Sequence, residues 1–317
     1  MDYEEVSHSE RTRRLGRLPS GTDVAVTVHR YDGGAGPTVY VQAAQHGIEL
    51  NGPAALRRFH SRLVDAELAG TVIVVPLVNP LAFDHRSYIT PAEYDAVNPN
   101  LNRVWPGDES GSLQERLAAN LWELVTGADA VVDLHTGSAD MLEHVRFRAG
   151  RTAARRLSEA FGTEYTLTDC PEADDETATR TFRAAATRVG IPAITAELGN
   201  SRTVAPEAVT NGVDGLFDVL RAVDVLQAPL TQSPDQTRLS DAPEMTVAAA
   251  SGLFEPRPGI QVGDHIEANE ELGAVYDPST FERQQTVTAA DTGVAYSVTR
   301  ESVVVAGERL LDVARPV

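Results

Sequence analysis

At 317 residues the chain is long enough for one large unit and one small one, each with its own core. Asp and Glu outnumber Lys and Arg 46 to 27, a formal charge of −19 that disfavours nucleic acid and anionic membrane as partners. Every basic residue is Arg, which excludes Schiff-base lysines, pyridoxal-phosphate attachment and phosphate loops ending in Gly-Lys-Ser/Thr.

In chain order, the acidic start Met1-Asp2-Tyr3-Glu4-Glu5 lacks the basic-then-apolar order of a signal peptide, and no run approaches a membrane span, so a cytoplasmic protein is expected. Short β-rich runs at 24–29, 38–43, 71–76, 130–134 and 193–197 read as strands, and four of them are continuous apolar runs, as in strands buried on both faces. A helix is expected after Asn51-Gly52-Pro53, with Pro in the first turn. Ser112-Leu113-Gln114-Glu115 is a capping box, followed by an apolar stripe of Leu113, Leu117, Leu121, Leu124 and Val125 and by Gly127 as a stop. Further helices are expected over 152–161, 177–189 and 206–226. Alternation of this kind predicts an α/β layer fold. Pro229, Pro234 and Pro243 among polar residues mark 229–244 as a linker. Beyond it, short runs punctuated by Gly and Pro predict a small all-β domain over 245–317, after a catalytic domain over 1–228. Cys170, the lone cysteine, allows no intrachain disulfide, and its acidic neighbours disfavour a thiolate. Carboxylate excess without Lys also predicts a halophilic protein working in concentrated salt, where like charges are screened; GC-rich codon usage would leave a similar composition.

Ligand-type residues gather at the ends of the expected strands. Ala44-Gln45-His46-Gly47-Ile48-Glu49 follows the strand 38–43, where open α/β sheets place their ligand sites. His46 and Glu49 can converge on one cation, since imidazole and carboxylate are normal zinc ligands. Such a pair also arises at ordinary helix starts. Val131-Val132-Asp133-Leu134-His135-Thr136-Gly137 adds His135 at another strand end, with Asp133 two residues earlier on the same face and able to orient its ring. A His capping a strand end has a purely structural reading as well. Glu197 ends the apolar run from Ala193, where an unpaired carboxylate is costly; beside a metal it would serve as general base and then acid, and beside an Arg it would be a simple ion pair. Between these lie Asn79-Pro80 with Arg86, and Asn100-Leu101-Asn102-Arg103 followed by Pro106-Gly107. Asn with Arg suits a planar carboxylate, and Arg86 is a candidate to polarise a carbonyl. Arg146 and Arg148 are further cations able to read a second carboxylate.

Taken together, these motifs resemble the succinylglutamate desuccinylase/aspartoacylase family, relatives of the zinc carboxypeptidases, over roughly the first 200 residues. The resemblance implies a three-layer carboxypeptidase-like α/β domain with a mostly parallel, mixed sheet, then a small barrel-like all-β domain. It implies one zinc ion per chain on His46, Glu49 and His135, with Glu197 as general base and acid. It further implies substrate carboxylate on Asn102 and Arg103, and carbonyl polarisation by Arg86. The activity implied is hydrolysis of the amide in a small N-acyl amino acid. A metallocarboxypeptidase acting on peptides, or a non-catalytic metal-binding or regulatory protein on the same scaffold, are the other readings, and a homo-oligomer is left open. One departure stands out: the family usually has Asp where this chain has Asn100, which bears on substrate preference rather than on zinc. The β-domain resembles biotinyl/lipoyl barrels but lacks their acceptor Lys, so it is expected to shape the entrance to the site, with Tyr276 as a contact.

Overall fold

The computed structural model describes residues 2–137, 140–169, 180–231, 235–242, 244–300 and 302–317; Cys170 and the first turn of the helix expected over 177–189 lie outside them. The chain begins with β1 (Glu4–Glu5), then β2 (Ser7–Arg17), β3 (Asp23–Asp32) and β4 (Gly34–Ala43). Helix α1 (Asn51–Leu63), strand β5 (Glu67–Val75), helix α2 (Pro80–Asp84), a 3-10 turn at Leu101–Arg103 and helix α3 (Leu113–Val125) follow. Next come β6 (Ala130–Gly137), β7 (His144–Phe147), α4 (Thr152–Phe161), β8 (Tyr165–Thr168), α5 (Phe182–Arg188), β9 (Ala193–Asn200) and α6 (Pro206–Ala222).

Strands β5, β4, β6 and β9 run side by side and parallel, and they form the buried centre of a mixed sheet. Their alternation sorts side chains to two cores. Val39, Val41, Val72, Val74, Val132, Leu134, Ile194 and Ala196 face the layer of α1, α4 and α6. Tyr40, Ile73, Val75, Val131 and Ala193 face α3, α5 and the Trp105 region. Helices on both faces explain why the strand sequences are apolar throughout. The expected capping box is present: Ser112 Oγ accepts from Glu115 N, and Glu115 Oε2 accepts from Ser112 N at 3.0 Å.

The chain end adds β10 (Thr237–Asp241), β11 (Thr246–Val247), β12 (Gly252–Pro256), β13 (His265–Ile266), β14 (Glu271–Tyr276), β15 (Arg283–Thr288), β16 (Gly293–Val298), β17 (Val303–Val304) and β18 (Arg309–Pro316). Strands β15, β14, β12 and β17 form a four-stranded sheet, and Phe254, Leu272, Val275, Val287, Val298 and Val313 fill the space between it and the edge of the large sheet. The segment 229–244, expected as a linker, contains a strand. β10 pairs in parallel with β8 and antiparallel with β18, so the large sheet runs unbroken into the C-terminal β-rich part. Pro and polar residues on either side hid this short edge element, which has a single buried apolar side chain, Leu239. No described helix is long and apolar enough to cross a membrane.

Candidate active site

Three strand ends on the large sheet build the site. β4 stops at Ala43, and Ala44 takes φ 58°, a left-handed conformation rare outside Gly. That turn swings Gln45 and His46 off the sheet. Gly47 passes so close to α2 that a Cβ there would lie 2.1 Å from backbone atoms of Ala82, so only Gly fits. Glu49 then leads into α1, whose buried Asn51 donates to Leu198 O at 2.7 Å and accepts from Ala205 N at 2.8 Å. These bonds lock the turn to the end of β9.

His46, Glu49 and His135 are each only 3% exposed, and one ligand atom from each lies within 4.8 Å of the others. Nδ1 of His46 is 2.7 Å from Glu49 Oε1, and Nδ1 of His135 is 3.0 Å from Glu49 Oε2. Both rings therefore point the same nitrogen inward. The outward nitrogens have partners that fix the tautomers: His135 Nε2 donates to Asp133 Oδ2 at 2.9 Å, and His46 Nε2 donates to Asn100 Oδ1 at 3.2 Å. Asp133 is fully buried and also accepts from Gln45 Nε2 at 2.7 Å and Gln42 Nε2 at 3.1 Å. Trp105 Nε1 donates to Gln45 Oε1 at 2.7 Å, which completes the support.

The electrostatics fit a cation. Burial works against the charge of Glu49, yet His46 and His135 hold its carboxyl down to about 2. Burial likewise opposes charge on His135, but Asp133 and Glu49 raise its pKa well above the ordinary imidazole value. Without a metal the cluster thus holds protons where a cation would sit, and metal binding would release them. Glu49 Oε2, although close to His135, has no aligned hydrogen-bond donor. An orphaned buried carboxylate oxygen between two inward nitrogens, in a His-Glu-His set, fits a divalent transition metal such as zinc.

Glu197 pairs with His135 across the parallel β6–β9 ladder, where neighbouring strands stand ~4.8 Å apart. The register shifts between His135 and Gly137, a bulge at the edge of the site. Burial raises the Glu197 carboxyl pKa and the charge of Glu49 adds to this, against the pull of His135. A cleft of about 660 Å³ opens over these groups and is also lined by Tyr88, Asn102, Arg103 and Arg202. Its far wall is C-terminal: Arg300, Glu308, Arg309 and Asp312 belong to β18 and the segment before it. Tyr88 stacks on His46 with ring centroids 4.0 Å apart.

The expected site residues His46, Glu49, His135, Glu197, Asn102 and Arg103 thus come together, and Arg86 does not. Arg86 is exposed, has φ 52° and lies off the cleft lining. Asn79 is a helix cap: its Oδ1 accepts from Ala82 N at 3.2 Å, and its Nδ2 donates to Gln45 O at 2.9 Å. Arg146 is held by Asp241 and Asp169 rather than facing a ligand, and Arg148 is exposed. Tyr276 lies under Arg283, whose guanidinium carbon is 5.8 Å from the tyrosine ring centroid, and is off the cleft. Asn100, expected to bear on substrate preference, instead backs His46. Tyr88, Arg202 and the C-terminal wall had no signal in the sequence; Gln42 and Gln45 had one, as amides at the end of an apolar strand.

Comparison with known proteins agrees with this chemistry: the chain is an amidohydrolase of the deacylase type. Residues 35–223 match the Succinylglutamate desuccinylase/Aspartoacylase catalytic domain, and the chain belongs to that family. The N-alpha-acetyl-L-2,4-diaminobutyric acid deacetylase of Halomonas elongata is 31% identical over 77% of this chain and 72% of its own. Two solved structures share the fold. The succinylglutamate desuccinylase/aspartoacylase of Rhodobacter sphaeroides has a TM-score of 0.83 at 23% identity, covering 100% of this chain and 97% of that one. The product-bound ectoine utilization protein EutE (DoeB) of Ruegeria pomeroyi has a TM-score of 0.84 at 23% identity, covering 99% and 96%.

Proposed function

We propose that this protein hydrolyses the amide of a small N-acyl amino acid, using one zinc ion held by His46, Glu49 and His135. The observation that carries this is the meeting of two Nδ1 atoms on the two oxygens of Glu49, with no aligned hydrogen bond to Oε2, beside Glu197. A bound zinc supplies Lewis acidity to the scissile carbonyl and acidifies water. Glu197, with its pKa raised by burial, takes the proton from the attacking water and returns it to the leaving nitrogen. Arg103 takes the substrate carboxylate through its guanidinium. Asn102 assists with its amide NH2, because its Oδ1 already accepts from Phe182 N at 3.0 Å. Its place outside the cleft removes Arg86 from this scheme. We assign 1–228 as the catalytic unit, with 245–317 as the wall that limits substrate size. Glu308 in that wall suits a substrate with a side-chain ammonium, so Nα-acetyl-2,4-diaminobutyrate, the compound named for the Halomonas relative, heads the substrate list.

The test is a panel of that compound with N-acetyl-, N-succinyl- and N-formyl-amino acids and short peptides, assayed with zinc in molar salt. Amine release from the acyl amino acids but not the peptides is expected. Release from peptides alone would establish a carboxypeptidase, and no turnover by zinc-loaded protein would leave a binding role. Glu197→Gln is expected to abolish turnover with zinc content near that of the parent; equal loss of both would make Glu197 structural.

A further inference from the structure

A second group of metal-type side chains lies at the other end of α1. His60 sits in the last turn of that helix, and the nine residues from Asn51 carry it ~14 Å from the active-site end. The β2–β3 register pairs His8 with Tyr31 and Glu10 with His29, so all four side chains share one face. Tyr31 is buried, and its hydroxyl lies 2.8 Å from His60 Nδ1. Nε2 of His8 lies 3.2 Å from Nδ1 of His29, and one ring nitrogen from each of His8, His29 and His60 lies within 4.8 Å of the other two. Three of the chain's eight histidines therefore meet at one point from three separate elements.

We propose that His8, His29 and His60 form a second metal site, selective for a zinc-class divalent transition ion, that ties the β2–β3 hairpin to α1. Imidazole nitrogens are ligands of choice for such ions, and two ligands at ~2.0–2.1 Å around a tetrahedral centre stand ~3.4 Å apart, close to the observed His8–His29 spacing. The Tyr31 hydroxyl at His60 Nδ1 leaves Nε2 as the outer donor and orients that ring, as partners of metal-bound histidines usually do. Glu10 Oε2, 3.9 Å from His29 Nδ1, places a carboxylate where a fourth ligand would reach. Packing alone gives another account of the group, since His8 stacks on Tyr31 at 4.7 Å and on His29 at 5.4 Å.

The experiment is equilibrium dialysis of the metal-stripped full chain against Zn2+ alone, with bound zinc counted per chain. The parent is expected to bind two ions. His29→Ala and His8→Asn are each expected to bind one, to keep the parent's turnover, and to lose the part of the zinc-induced rise in unfolding temperature that belongs to this site. His135→Ala is expected to keep one ion, and His29→Ala added to it to leave none. A single ion in the parent that His135→Ala removes would overturn the proposal, as would two ions in both His29→Ala and His8→Asn. A single ion lost with His29→Ala but kept with His135→Ala would support this site and sink the active-site reading instead.

Discussion

Asp133→Asn isolates the support behind His135, a proposed metal ligand. Asp133 is fully buried and accepts three hydrogen bonds, from His135 Nε2, Gln45 Nε2 and Gln42 Nε2. Asparagine keeps the volume but exchanges one acceptor oxygen for an NH2 donor. With its oxygen toward His135, the new NH2 faces the Gln42 amide at 3.1 Å, donor against donor; turned around, it faces His135 and Gln45. Either way a buried donor is orphaned, at ~1–3 kcal/mol of folding stability. The imidazole also loses its carboxylate, and a lost partner behind a metal-bound His costs ~10–100-fold in affinity, or ~1.4–2.8 kcal/mol. Zinc competition against a chromophoric chelator reads the second effect, and urea unfolding of the metal-free protein reads the first. The reasoning fails if the variant binds zinc within a factor of two of the parent and unfolds at the same urea concentration.

Arg103→Ala removes a charge-assisted contact to the substrate carboxylate worth ~1.5–3 kcal/mol, so kcat/KM is expected to fall roughly 10–150-fold with zinc content unchanged; an unaltered kcat/KM would remove Arg103 from substrate binding. Asp169 gives the acid dependence of stability: burial opposes its ionisation, but Arg183, 2.8 Å from its Oδ1, and Arg146 hold its pKa well below the ordinary carboxylate range. A folded pKa below the unfolded one stabilises the fold at and above the usual carboxylate pKa of ~3.9, and that gain fades as pH falls toward the folded value. The urea midpoints of parent and Asp169→Asn should therefore differ at pH 7 and draw together below about pH 4; a gap independent of pH would refute this. With a formal charge of −19 and no Lys, the unfolding midpoint should rise from low to molar salt, and an unchanged midpoint would count against a halophilic protein.

Much of this site is legible in the sequence because its side chains sit where a strong local signal stops. His135 and Glu197 end apolar runs, and His46 follows one, where a polar residue needs a reason to exist. The capping box of α3 is equally local. What stayed hidden depends on distant pairing. β2 is an edge strand of mostly exposed polar residues, Ser7–Arg17, with no alternation to read. β7, β8 and β10 are four or five residues long and find their places only through one another. Arg86 looked like a site residue because it lies near Asn79-Pro80 in sequence; but that Asn caps a five-residue helix, and the chain leaves it at positive φ with Arg86 outside the cleft.

Asn100 shows how a departure in sequence changes meaning once its neighbour in space is known. The two imidazoles are backed unequally: a buried carboxylate behind His135, a neutral amide behind His46. A carboxylate supports a metal-bound ring more than an amide does, so the support behind His46 is the weaker of the two. Asn100 therefore bears on the proposed metal site, and its consequence is expected in metal affinity before it is felt in substrate choice.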